Sequence, residues 1–82
     1  MPSPVLVVFT LPGCPACHRC REYLSQKGVI FEERSVAEPE FRRQLVEDYK
    51  AHATPTLVCG EDVIVGFDQG RIDSLIDRYF GD

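Results

Sequence analysis

Cysteines stand at positions 14, 17 and 20 of this chain, inside the stretch FTLPGCPACHRC that runs from Phe9 to Cys20, and a fourth follows at Cys59. A spacing of three residues is close to one helical turn, so sulfurs in such a series share one side of a helix. Two chemistries use thiols brought together in that way. A thiolate can attack a disulfide while its neighbour completes the exchange, or several thiolates can close around a metal ion. A third possibility is chemically silent, because free cysteine is also a common small apolar filler of protein cores.

The residues around the cysteines separate their roles. Pro15 directly follows Cys14, and proline is favoured at the first position of a helix. Cys14 then falls at the N-cap, where first-turn amides lack intrahelical partners and the helix end is partly positive. A thiolate there is favoured over the thiol. Comparable sites titrate at roughly 3.5–7.5, against about 8.5 for a free thiol. Cys14 is therefore the expected nucleophile. Cys17, one turn further in, is expected to be shielded, to keep a higher pKa and to resolve the mixed disulfide formed on Cys14. Cys20 and Cys59 read as core packing. His18 is expected to face outward beside the site, and His52 to be exposed at the end of the second helix. Neither is needed for the exchange.

Metal binding is the rival chemistry. Cys14, Cys17 and Cys20, joined by His18 or Cys59, would supply four ligands. Structural zinc sites usually draw on two separated Cys/His pairs, and no second pair follows here. No bound metal is expected; an iron–sulfur or metal-carrying thiol protein stands as the alternative from a different functional class.

These side chains need a scaffold, and the hydrophobic pattern supplies one. Val5 to Phe9 is a short apolar run suited to a buried strand. The Pro-Gly pair at 12 and 13 interrupts it. A helix is predicted from Pro15 to about Lys27, stopped by Gly28, with Cys17, Cys20 and Leu24 on one face. Val29 to Val36 begins apolar and turns charged, as an exposed edge strand would. Glu38 to about Lys50 carries Phe41, Leu45 and Tyr49 at helical spacing. A third strand follows Pro55, a turn spans Gly60, Glu61 and Asp62, and Val63 to Val65 forms a fourth. Gly66 to Gly70 reads as a loop. A last helix covers Arg71 to Phe80, with Ile72, Leu75, Ile76 and Tyr79 on one stripe. The first strand–helix–strand unit requires a right-handed parallel crossover. The predicted architecture is α/β: a four-stranded mixed sheet flanked by three helices, in one domain over residues 1–82.

Bulk properties narrow the function classes. With 82 residues, 44% hydrophobic and 27% charged, the chain has the profile of an ordinary globular domain. Its net charge of −4 argues against nucleic acid, whose phosphates need a basic surface. The opening ten residues lack a basic segment and hold only five consecutive apolar residues, too few for a signal peptide or a membrane span. A cytoplasmic location is expected. In a reducing compartment, four cysteines are better explained by reactivity than by a disulfide framework.

A Cys-x-x-Cys pair beside a strand–helix–strand unit is the arrangement of thioredoxin-like redox domains, and the chain resembles the glutaredoxin-like branch of that superfamily over nearly its whole length. PGCPAC at 12–17 resembles the active-site motif, ATPTL at 53–57 resembles the cis-proline segment, and VGFDQGRIDSLI at 65–76 resembles the Gly-Phe loop and last helix of NrdH-type redoxins. The resemblance implies a thioredoxin-like fold and a cis Pro55 lying against Cys14 and Cys17. It also implies a Thr54 backbone that pairs with an extended substrate. Pro12, Pro15, Ala16, Thr54, Pro55, Gly66, Phe67 and Asp68 become the expected substrate-binding residues.

The departures from the family pattern bear on the electron donor. Glutathione-using members commonly carry a lysine shortly before the first active cysteine, where this chain has Leu11 and Pro12. They often have an aromatic residue before the second cysteine, where this chain has Ala16. Of the loop that holds the amino end of glutathione, only Asp68 offers a match. The expected protein is a monomer with no bound cofactor that reduces protein disulfides. Thioredoxin reductase is the expected donor, with glutathione as the rival, and ribonucleotide reductase is one candidate partner. Glutathione-dependent deglutathionylation through Cys14 alone is the alternative activity.

Overall fold

The computed structural model describes residues 5–81. Of the 1–82 span read as one domain, residues 1–4 and 82 lie outside the described residues, so the first four of the ten residues on which the signal-peptide reading rests lie outside them too.

Seven elements follow one another as expected: β1 (Leu6–Thr10), α1 (Pro15–Gln26), β2 (Phe31–Ser35), α2 (Pro39–Tyr49), β3 (Thr56–Cys59), β4 (Asp62–Val65) and α3 (Gln69–Phe80). The strands form one mixed sheet in the order β2-β1-β3-β4. β1 pairs parallel with β2 and antiparallel with β3, and β3 pairs antiparallel with β4.

Alternation along β1 builds two cores. Leu6 and Val8 point to one side and Val7 and Phe9 to the other, as successive strand residues must. Leu6 and Val8 meet Cys20 and Leu24 of α1 and Ile72 and Leu75 of α3. Val7 and Phe9 meet Leu45 of α2 and Ala51. β1 is therefore covered on both faces, which is why all five of its residues are buried and why it reads as an unbroken apolar run. β2 lies at the sheet edge and carries Glu32, Glu33 and Arg34 toward solvent or half-exposed, in keeping with its charged second half.

Several boundaries differ from the sequence reading, each for a local reason. The β3–β4 turn needs only Gly60 and Glu61, because Asp62 already pairs with Cys59. The last helix starts at Gln69, before Arg71, because Asp68 serves as its N-cap and accepts the Arg71 amide at 3.2 Å. Helix α2 ends at Tyr49. Lys50 adopts a left-handed conformation with φ 55°, and the Ala51 amide closes on the Leu45 carbonyl. His52 therefore lies beyond the helix rather than at its end; it is exposed as expected. Among the described residues, no helix is long and apolar enough to cross a membrane.

Candidate active site

The path from β1 into α1 is dictated by four residues. The Cys14 amide donates to the Leu11 carbonyl at 3.2 Å, closing a turn with Pro12 and Gly13 at its centre. Proline presets the first central residue of such a turn. Gly13 has φ 78°, a conformation that glycine adopts without steric cost. The turn delivers Cys14 to the N-cap of α1 and Pro15 to its first turn.

At the N-cap, the Cys14 sulfur does what a capping oxygen usually does. The Cys17 amide donates to Cys14 Sγ at 3.2 Å. Thr54 approaches the same sulfur with its hydroxyl and its carbonyl, each at 3.9 Å. Cys14 itself is half-buried. Its partial burial pushes the thiol up. The Cys17 side chain and amide, the Thr54 hydroxyl and the Ala16 amide outweigh that, and the net effect holds Cys14 below its ordinary value.

The other thiols experience the reverse. Cys17 is fully buried. Burial pushes its pKa up, and its hydrogen bond to Cys14 and the charge there push it further. Cys20, also fully buried, is pushed up to about 11, chiefly by burial and then by the neighbouring Cys17. Burial likewise raises Cys59. All four cysteines are free thiols in this structure. Cys20 and Cys59 belong to the core on the α1/α3 side of the sheet, the packing role expected of both.

The segment before β3 faces the thiols. The Thr54–Pro55 bond is cis, Pro55 is buried and Thr54 half-buried. Two bonds hold this corner: the Gly66 amide donates to the Pro55 carbonyl at 2.7 Å, and the Thr56 hydroxyl donates to the Ala53 carbonyl at 2.7 Å. The 11–17 turn and Thr54 thus meet at Cys14, and Gly66 braces the Thr54–Pro55 corner from behind.

The remaining expected binding residues are placed less uniformly. Pro12 and Pro15 are exposed and Ala16 half-buried beside the nucleophile. Gly66 reaches the site through Pro55. Phe67 instead packs edge-on against Tyr23 of α1, with ring centroids 5.8 Å apart. Asp68 is exposed, but one carboxylate oxygen is engaged by the α3 cap. His18 is exposed and faces Glu22 at 3.4 Å, as an outward-facing residue. Among the described residues, no group of three or more His, Cys, Asp or Glu side chains is gathered as a metal would require.

Two features near the site escaped the sequence reading. Thr10 is buried and donates to Glu33 at 2.7 Å; the same carboxylate oxygen accepts Arg21 at 3.0 Å. This polar contact ties the end of β1 to β2 and α1 just ahead of the Cys14 turn. The other is a groove on the α2 side of the site, of about 390 Å³, lined in part by Leu11, Arg42, Val46 and Thr54. Leu11 at 45% exposure, directly after a buried strand, is the one local hint of it.

Comparison with known proteins adds the context. The glutaredoxin family model matches residues 6–64. A glutaredoxin from Pseudomonas aeruginosa is 31% identical over 81 residues, covering 89% of this chain and 96% of that protein. Among solved structures, the thioredoxin-like protein BC3987 superposes with a TM-score of 0.82 at 34% identity, covering 85% of this chain and 97% of the other. A glutaredoxin from Archaeoglobus fulgidus gives a TM-score of 0.76 at 26% identity, covering 89% and 86%.

Proposed function

The chain belongs to the glutaredoxin family of thiol–disulfide oxidoreductases, and we propose that it reduces protein disulfides with the Cys14/Cys17 dithiol. The observation that carries this reading is the contrast between the two sulfurs: Cys14 caps a helix and is held below its ordinary pKa, while Cys17 is buried and held above it. The Cys14 thiolate attacks one sulfur of the substrate disulfide, and the other sulfur leaves as a thiolate that takes up a proton. The Cys17 thiol gives up its proton and attacks Cys14 in the mixed disulfide. A Cys14–Cys17 disulfide forms and the second substrate sulfur leaves. Two electrons pass from the dithiol to the substrate, and no metal or organic cofactor enters the balance.

Pro12, Pro15 and Ala16 form the rim of the nucleophile in this reading, and Thr54 and Pro55 the wall along which an extended substrate pairs. Gly66 supports that wall, and Phe67 and Asp68 contribute at the start of α3. The proposed setting is the cytoplasm, where free thiols persist, and the proposed working form is a monomer.

The electron donor is proposed to be thioredoxin reductase. Leu11 and Pro12 supply no cation ahead of Cys14, Ala16 supplies no aromatic face, and one Asp68 oxygen is already committed to its helix. Glutathione is the competing donor, favoured by family membership. Ribonucleotide reductase is one disulfide-bearing partner compatible with either. The test supplies oxidised protein with NADPH and thioredoxin reductase, or with NADPH, glutathione and glutathione reductase, and follows NADPH consumption with a protein disulfide present. The expected result is turnover with the first pair at least about tenfold faster than with the second, a difference of about 1.4 kcal/mol in effective barrier. Turnover only with the second would reverse the assignment of the donor.

A further inference from the structure

We propose that Thr56 is a positioning residue for the disulfide exchange: its buried hydroxyl fixes the Ala53–Thr54 peptide group and so holds Thr54 against the Cys14 sulfur. This inference rests on the dithiol reading above and names a residue, away from the sulfurs, on which their chemistry depends.

The hydroxyl sits where packing alone calls for none. Thr56 opens β3 and has no exposed surface. It stands directly opposite Phe9 of β1, so the two side chains share one face of the sheet. Val58, two residues on, lies on that face with Phe9, Leu45 and Ala51. Valine has the shape for position 56 without a polar atom, and a buried hydroxyl lacking a partner is costly. Here the partner is specific: Thr56 Oγ1 donates to the Ala53 carbonyl at 2.7 Å.

That bond acts where no strand ladder holds the backbone. The pairing of β3 with its neighbours ends at Thr56, and residues 50–55 belong to neither a helix nor a strand. Pro55 has no amide proton to offer. The peptide group that carries the Thr54 carbonyl is therefore held from its two sides, the Ala53 carbonyl by Thr56 and the Pro55 carbonyl by the Gly66 amide at 2.7 Å. Between these ties, Thr54 meets Cys14 Sγ at 3.9 Å through both its hydroxyl and its carbonyl. Contacts this long are lost to a small displacement. The hydroxyl donates to a thiolate, whereas the carbonyl accepts only from a thiol, so a rotation of Thr54 changes which form is favoured. Cys17 faces the same sulfur from α1, the His18 ring turns to Glu22, and Arg42 and His52 line the groove with Thr54. A change at Thr56 leaves all of these groups in place.

The test follows two quantities in the reduced full-length chain: the pH midpoint of Cys14 alkylation and the second-order rate with the disulfides of insulin. Thr56→Val keeps the shape and removes the hydroxyl. Thr56→Ser keeps the hydroxyl and removes a methyl. Thr56→Val is expected to raise the Cys14 midpoint by about half a pH unit, a roughly threefold change in its ionisation. It should lower the rate about tenfold, the scale of a slight misplacement of reacting groups. Thr56→Ser should keep the midpoint and hold the rate within about twofold, even with a lower Tm. Ile64→Val trims the core on the other side of the sheet and should move neither quantity. An unchanged midpoint and rate in Thr56→Val would overturn the proposal. Equal effects of Thr56→Val and Thr56→Ser would overturn it too, because packing rather than the hydroxyl would then matter. Should Thr56→Val fail to fold by circular dichroism, Thr56→Ala is compared with Thr56→Ser and read in the same way. If the unaltered chain reduces no disulfide, or its Cys14 titrates as an ordinary thiol, the dithiol reading fails and this proposal falls with it.

Discussion

Cys14 and Cys20 lie six residues apart on one helix, yet the structure gives them opposite chemistry. The first turn of α1 ends in solvent and presents unpaired amides, and Cys14 Sγ accepts one of them. One turn past Cys17, the same helix faces Leu6, Val8 and Ile72 in a closed apolar core, and Cys20 has no exposed surface. Cys17 stands between the two conditions, adjacent to the nucleophile but buried. Equal spacing along the sequence therefore does not mean equal reactivity. What sets a thiol's ionisation here is its distance from the helix start and from water, and α1 passes from one regime to the other within two turns.

The most drastic way to probe that contrast is to remove each sulfur in turn. Cys14→Ser is expected to lower the rate of disulfide reduction by at least about a thousandfold, as loss of a nucleophile does. Cys20→Ser should leave the rate within about twofold while lowering stability. A serine hydroxyl buried among aliphatic side chains costs about 1–3 kcal/mol, a fall in Tm of roughly 4–20 °C for a domain of this size. Thermal unfolding followed by circular dichroism, beside a steady-state reduction assay, separates the two outcomes. A Cys20→Ser protein as inactive as Cys14→Ser would erase the distinction between the two ends of the helix.

A smaller effect tests whether α3 shares in the site through its cap. Asp68→Ala removes the acceptor of the Arg71 amide and should cost about 1 kcal/mol of stability. If thioredoxin reductase is the donor, turnover with that enzyme should change by less than about twofold. A large rise in KM for glutathione in the same variant would assign the carboxylate to substrate rather than to its helix.

Much of the fold was legible because local signals agreed with one another. The apolar run Val5–Phe9, Pro15 and Gly28 around the first helix, and the stripe of Ile72, Leu75 and Ile76 each point to one element. Pro15, favoured at the first position of a helix, places Cys14 at a helix start from the sequence alone. Boundaries shifted where a cap took over backbone groups, as the Asp68 side chain does at α3 and the left-handed Lys50 backbone does at the end of α2. The contacts between distant segments were not legible. The groove brings together residues near positions 11, 36, 46 and 54, and the Thr10–Glu33–Arg21 contact joins three elements. Spacing along a chain carries no information about such neighbours. The cis geometry of the Thr54–Pro55 bond likewise came only from family likeness, since a Thr-Pro pair alone favours trans.

The most direct measurement is the pH dependence of alkylation at each cysteine of the reduced protein, read by mass spectrometry of the separate peptides. Because the hydrogen bonds to its sulfur from Cys17, Thr54 and Ala16 favour the ionised form, Cys14 should label with a midpoint below the roughly 8.5 of a free thiol. Cys17 should need a higher pH and Cys20 a pH approaching about 11. A Cys14 midpoint at or above that of a free thiol, or Cys14 and Cys20 labelling together, would contradict the account.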